Sequence, residues 1–133
     1  YSFWLYLNSD ASGAYSNLII NTGGGAKQAY IEKTTLKFRL YNNTNDKSST
    51  AAVVLKTWTH LVVTVAGNTV KFYFNGVLDS TQTTAASNVT NGVVQIGRWT
   101  GNAVPTNGSL DDVRIYNRAL SQAEVKRLYN AGR

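Results

Sequence analysis

Residues 108–129 read GSLDDVRIYNRALSQAEVKRLY, and the hydrophobic period changes in the middle of them. Val113 and Ile115 alternate with Asp112, Arg114 and Tyr116, the two-residue repeat of a strand with one buried face. A helix is predicted directly afterwards. Ser121 is a good N-cap, Glu124 three positions on completes a capping box, and Leu120 and Val125 stand at the spacing of a hydrophobic staple. Val125, Leu128 and Tyr129 then recur at helical spacing, which leaves Lys126 and Arg127 on the solvent side, and Asn130-Ala131-Gly132 is a stop signal. The helix is therefore short and acts as a clasp. One conflict sits inside the strand. Strict alternation puts Leu110 on the face of Asp112 and Arg114, opposite Val113, so a β-bulge is expected near Asp111, or a second buried surface under Leu110.

Upstream the period is two almost throughout. Residues 1–7 alternate Phe3, Leu5 and Leu7 with Ser2, Trp4 and Tyr6, and residues 35–41 alternate Leu36, Phe38 and Leu40 with Lys37, Arg39 and Tyr41. Shorter runs at 17–21, 28–32 and 51–55, and a longer one at 58–65, also read as strands. Ala66-Gly67-Asn68 connects that longer run to residues 69–75 as a hairpin, and Asn75-Gly76 is a type I′ turn dipeptide that sends the chain back through Val77 and Leu78. Residues 93–97 form the strand before last. The wholly polar segment 42–50 and the uncharged segment 81–91 read as loops, as do Gly23-Gly24-Gly25 and residues 98–107. The glycine triplet lacks the Lys-Ser/Thr and helix of a phosphate loop. About nine strands without βαβ alternation, closed by one helix, predict an all-β antiparallel sandwich.

At 133 residues, 43% of them apolar, the chain fits a single domain spanning 1–133 with a core of ordinary size. There is no Cys, which excludes a disulfide framework and thiolate metal sites. No apolar run approaches the roughly 20 residues of a membrane span, so no membrane insertion is expected. The formal charge is +6, but the thirteen Lys and Arg are scattered and Lys126-Arg127 is their only adjacent pair. Dispersed cations describe a solvated surface and not a nucleic-acid stripe.

The closing stretch LDDVRIYNRALSQAEVKRLY resembles the carboxy-terminal signature of laminin G-like jelly-roll domains, relatives of the concanavalin A-like lectins and glucanases. Trp58-Thr59-His60 with the apolar residues after it is similar to that family's W-x-H strand. Residues 70–76 are similar to its strand ending in Asn-Gly, Val94-Gln95-Ile96-Gly97 to its next-to-last strand, and YSFWLYLNSD to an early strand. The resemblance implies a jelly-roll β-sandwich with a short C-terminal helix, in an extracellular or surface-displayed protein that binds carbohydrate or mediates adhesion. It also implies one or more strands before residue 1. On that account either the topology is a variant, or a sheet edge beside residues 1–7 is open and filled by another chain, which allows self-assembly as a surface-layer or filament subunit.

A catalytic role is not expected. The seven acids include no Glu-x-Asp-x-Glu run of the kind the resemblance implies for glucanases, and Asp111 and Asp112, as strand neighbours, are expected to face opposite ways. His60, the only histidine, is read as structural, without acid or Cys nearby in sequence. The resemblance implies calcium as the one metal to consider, with Asp111 the best-placed ligand and Asp10 the next. The alternative for Asp111 is that it bonds backbone amides at the bulge.

Sugar binding asks for exposed aromatics beside amides and charged donors or acceptors. Arg98, Trp99 and Asn102 meet this in a loop, and Trp4, Tyr6 and Tyr73 meet it on outward strand faces, where Arg39 and Tyr41 could extend a platform across one sheet. Trp58 is read as a packing residue. Asn42, Asn88 and Asn107 each begin an N-x-Ser/Thr sequon in a predicted loop.

Overall fold

The computed structural model describes residues 1–9, 15–22, 27–42, 45–85, 92–98 and 105–132. Among them, in chain order, are β1 (Ser2–Leu7), β2 (Tyr15–Asn21), β3 (Lys27–Glu32), β4 (Lys37–Asn42), β5 (Asn45–Ala52), β6 (Thr59–Ala66), β7 (Thr69–Phe74), β8 (Val77–Thr83), β9 (Val94–Ile96), β10 (Gly108–Arg114) and α1 (Gln122–Ala131). The strands form two antiparallel five-stranded sheets, ordered β10-β1-β6-β7-β8 and β5-β4-β3-β2-β9. This is the antiparallel sandwich that the alternating sequence predicts, and it agrees with the jelly roll that the resemblance implies.

The core lies between the sheets because alternation gives each one apolar face. Phe3, Leu5, Leu7, Leu61, Val63, Val70 and Phe72 from the first sheet meet Leu18, Ile19, Ala29, Ile31, Phe38 and Leu40 from the second. Phe38 sits edge-on to Phe3 and to Phe72, with ring centroids 5.7 and 5.5 Å away, the arrangement that aromatic quadrupoles prefer.

The expected bulge is present. Ser2 pairs with Arg114 and Trp4 with Asp111, so β10 carries one residue more than β1 over that interval. Asp112 takes up the excess with φ 48°. Leu110 and Val113 consequently both pack against the core, which strict alternation forbids.

Two expectations are corrected. Residues 45–52 are a strand, β5, although the polar composition of 42–50 reads as a loop. Its one buried inward position is Ser49, whose hydroxyl accepts from the Phe38 amide at 3.0 Å and donates to the Ala51 carbonyl at 2.6 Å. Pairing with β4 and hydrogen bonding at Ser49 thus hold an edge strand that has no apolar row to advertise it. The segment 81–91 likewise begins inside β8, which continues to Thr83. The second correction concerns β1, which lies between β10 and β6 and pairs with both. No edge is open beside residues 1–7, so the expected strand donation there does not occur. On the far side of the sandwich, Asp79 of β8 accepts the amides of Thr50 and Ala51 at 2.7 and 2.8 Å, and the Gln82 amide donates to the Ser48 carbonyl, lacing β8 to the edge strand β5.

The helix forms where it is expected, for the expected reasons. The Ser121 hydroxyl accepts from the Glu124 amide at 3.3 Å, and the Glu124 carboxylate accepts from the Ser121 amide at 2.8 Å. Arg118 adds a 2.6 Å ion pair to that carboxylate. Together they hold the Glu124 carboxyl down at about 2, Arg118 contributing most. The staple residues Leu120 and Val125 pack with Val62 and Tyr73 on the outer face of the first sheet, flanked by Tyr116 and Leu128. Lys126 and Arg127 face solvent. Val125 is fully buried, so Val125→Ala should lower the unfolding free energy by about 2 kcal/mol in a urea titration. Lys126→Ala should change it by less than about 0.5 kcal/mol.

Candidate functional site

The outer face of the first sheet is only partly covered by α1. Beside the uncovered part lies a cleft of about 840 Å³ lined by Trp4, Trp58, Asn75, Asp111, Asp112, Arg114, Tyr129, Ala131 and Gly132. Its floor comes from β1 and the entry to β6, one wall from the bulge of β10, and the other from the last turn of α1.

Each position has a local cause. Trp4 and His60 are cross-strand partners, and residues two apart share a face, so Tyr6 and Trp58 join them on the outside. Trp58 is 45% exposed, and its ring lies 5.6 Å from Tyr6. The Trp4 ring stacks on Tyr129 at 5.6 Å, with His60 at 5.2 Å beneath. The helix end can come this close because residue 132 is Gly. A Cβ there would lie 2.4 Å from Trp4 Nε1. Asn75 and Gly76 make the type I′ turn with φ 50° and 80°, and Asn75 Oδ1 accepts from the His60 amide at 2.9 Å. That leaves its Nδ2 as the donor toward the cleft.

The bulge decides the polar wall. Asp111 and Asp112 both line the cleft, which corrects the expectation that neighbouring strand residues face opposite ways, because the left-handed backbone at Asp112 breaks the alternation. The Asp112 amide donates to Asp111 Oδ1 at 2.7 Å, the role proposed for Asp111 as an alternative to metal binding. Arg114 donates to Asp112 Oδ1 through Nε at 2.9 Å and closes an ion pair to the same oxygen at 2.8 Å. Both carboxylates of this set have partners within the chain. One carboxylate is already neutralised by a guanidinium, the other holds an amide, and among the described residues no three His, Cys, Asp or Glu side chains come together to hold a metal. Asp10, like Trp99 and Asn102, lies outside the described residues.

The remaining sequence candidates divide. Trp4 lines the cleft, and Tyr6 borders it through Trp58. Tyr73 does not serve a surface ligand: it is 2% exposed beneath α1, because the apolar stripe of the helix needs a matching row on β6 and β7. The platform across one sheet is also corrected. Arg39 and Tyr41 belong to β4 in the other sheet, where Arg39 pairs with Glu32 and Asp46 at 2.8 Å each. Arg98 is exposed beyond β9 and does not line the cleft. Of the sequons, Asn42 is 2% exposed with its amide on the Ala85 carbonyl at 2.9 Å, Asn107 is exposed, and Asn88 lies outside the described residues. Sequence reasoning missed Trp58, Asn75, Asp112, Arg114 and Tyr129. For Trp58 the signal was available, since its parity with His60 places it on the outer face.

His60 is 1% exposed under Trp4 and Tyr129. Nε2 is 3.0 Å from the Ser2 hydroxyl, and Nδ1 has no partner. Burial pushes its pKa down to about 4, the Asp112 charge opposing and Arg114 reinforcing the shift. The unfolded chain, titrating near 6.5, therefore binds the proton first as pH falls. The stability contribution is complete above pH 6.5, declines between 6.5 and 4, and is lost below 4, a total on the order of 3 kcal/mol. Urea midpoints of the wild type should fall across that window, and His60→Gln should flatten the fall by about one proton.

A family model described as the concanavalin A-like lectin/glucanases superfamily, of laminin G type, matches residues 1–126. No curated protein matches the chain in sequence. Among solved structures, the CBM40 module of a Ruminococcus gnavus IT-sialidase, bound to α2,3-sialyllactose, superposes with TM-score 0.77 at 20% identity over 96% of this chain and 80% of that one. Domain 4 of the extracellular GH43 arabinanase AbnA from Geobacillus stearothermophilus, in complex with arabinotriose, gives 0.73 at 20% identity over 96% of this chain and 64% of that one. A Bacteroides ovatus protein assigned provisionally to carbohydrate binding gives 0.77 at 14% identity over 95% of this chain and 39% of that one. The chain thus spans well under half of the last and just under two thirds of the arabinanase domain.

Proposed function

The chain belongs to the concanavalin A-like lectin/glucanases superfamily, and from that premise we propose that it is a non-catalytic carbohydrate-binding module of an extracellular protein, with the cleft between α1 and the β10 bulge as its site. The observation that carries the reading is Trp58, a large aromatic left 45% exposed beside two carboxylates, an arginine and an amide. The apolar face of a sugar ring stacks on that indole, as amphipathic ligands do on aromatic surfaces. Ring hydroxyls donate to Asp111 and accept from Asn75 Nδ2. The extracellular arabinanase domain and the sialidase module, each solved with a sugar, support binding as the role and a surface setting for it.

The carboxylates support a non-catalytic reading. Glycoside hydrolysis needs one carboxyl kept protonated by its surroundings and a second free as base or nucleophile. Here Asp111 is exposed and holds the bulge amide, and Asp112 is paired with Arg114.

A glycan array followed by calorimetry tests the assignment. Trp58→Ala should weaken binding at least tenfold while the variant still unfolds cooperatively in urea, which shows that the fold is kept. Binding should survive chelation of calcium. If Trp99→Ala abolishes binding and Trp58→Ala does not, the site belongs to the 98–102 loop and the cleft assignment is wrong.

A further inference from the structure

The cleft is charged against the rest of the molecule. The chain carries a net +6, a background that draws anionic glycans toward it. The described cleft lining holds two carboxylates, Asp111 and Asp112, and one cation, Arg114. That cation is spoken for: Nε at 2.9 Å and a second nitrogen at 2.8 Å both engage Asp112 Oδ1. Asp111 has no cationic partner among the described residues. It is exposed, its Oδ1 takes a backbone amide, and its second oxygen is left as an acceptor in the cleft lining.

We infer that the ligand is an uncharged glycan, and that this cleft excludes acidic sugars such as sialic acid. The inference rests on the carbohydrate reading above and deepens it. A neutral ring brings only hydroxyl donors to Asp111, and these suit an ionised acceptor. A sugar carboxylate in the cleft faces Asp111, while Arg114 is already paired with Asp112. An arginine fork open to the ligand is the usual answer to such a group, and here Arg114 is engaged by Asp112 and by Tyr116. Like charges brought together at a binding surface act as an element of specificity in their own right. Two structural neighbours, one solved with arabinotriose and one with α2,3-sialyllactose, bracket the alternatives. The charge of this cleft places the chain on the neutral side.

The test compares the neutral probes arabinotriose and lactose with α2,3-sialyllactose by calorimetry, on the wild type, Trp58→Ala and Asp111→Asn, in salt from about 0.05 to 0.5 M. At least one neutral probe should bind through Trp58 with little salt dependence, and sialyllactose should bind at least tenfold more weakly. Asp111→Asn keeps an acceptor for the Asp112 amide and removes the charge, so it should narrow that gap severalfold. Sialyllactose binding that ignores Trp58 and disappears at high salt reports the basic surface and, with Trp58-dependent neutral binding intact, supports the inference. Trp58-dependent binding of sialyllactose as tight as that of the neutral probes overturns it and leaves the carbohydrate reading standing. Binding of no probe in either class overturns both.

Discussion

One extra residue in β10 organises this molecule. Leu110 and Val113 are both needed to cover the core beneath β1, yet they stand three positions apart, an odd interval that an uninterrupted strand sends to opposite faces. The chain resolves the conflict at Asp112, which adopts φ 48°, a conformation that costs most residues about 1–2 kcal/mol but that Asp tolerates comparatively well. The Asp111 carboxylate offsets part of that cost by accepting the Asp112 amide. The same irregularity turns two neighbouring carboxylates toward one cleft and brings Arg114 back within reach of Asp112. Packing of the core and the polar wall of the site are therefore consequences of a single local decision.

The second organising contact is between α1 and the outside of the first sheet. A sheet in a two-layer sandwich ordinarily keeps one face wet, but here Val62 and Tyr73 make the outer face apolar at its centre, and the helix must lie there. Its approach is set by two glycines. At Gly76 a Cβ would sit 3.1 Å from the Tyr129 side chain, and at Gly132 one would collide with the Trp4 indole. Gln122 fixes the other end by donating to the Gly76 carbonyl at 2.9 Å. The helix that buries His60 is thus also the helix that positions Tyr129 as part of the cleft.

What the sequence disclosed, and what it hid, follows from how local each signal is. The capping box, the staple, the Asn75-Gly76 turn and the bulge are each written within a few residues, and all four stand in the structure as read. The strand β5 was hidden because its stabilisation is non-local: an edge strand with a hydrogen-bonded Ser49 where an apolar residue is expected, laced to β8 by Asp79. Tyr73 and Trp58 were misjudged in opposite directions for one reason. Parity places both on the outer face, but only the path of α1 across that face decides which is covered. The open edge expected at residues 1–7 failed similarly, since the order of strands in a sheet depends on connections that alternation does not record.

The position of the cleft follows from the length of that helix. The segment entering α1 and its first residues, 119–122, border a cavity with Thr64 of β6, Lys71 and Tyr73 of β7 and Leu78 of β8, and its last residues reach Trp4 on β1. Ten residues at a rise of about 1.5 Å cover about 15 Å. The helix ends against Trp4, and across the cleft from its last turn stand Asp111, Asp112 and Arg114 of β10. Another turn, adding about 5 Å, would carry side chains over Asp111 and Arg114 and fill the space beside Trp58. The stop at Asn130-Ala131-Gly132 does more than end a clasp: it sets how much of the sheet face stays open, and leaves the bulged strand as the wall that a ligand meets.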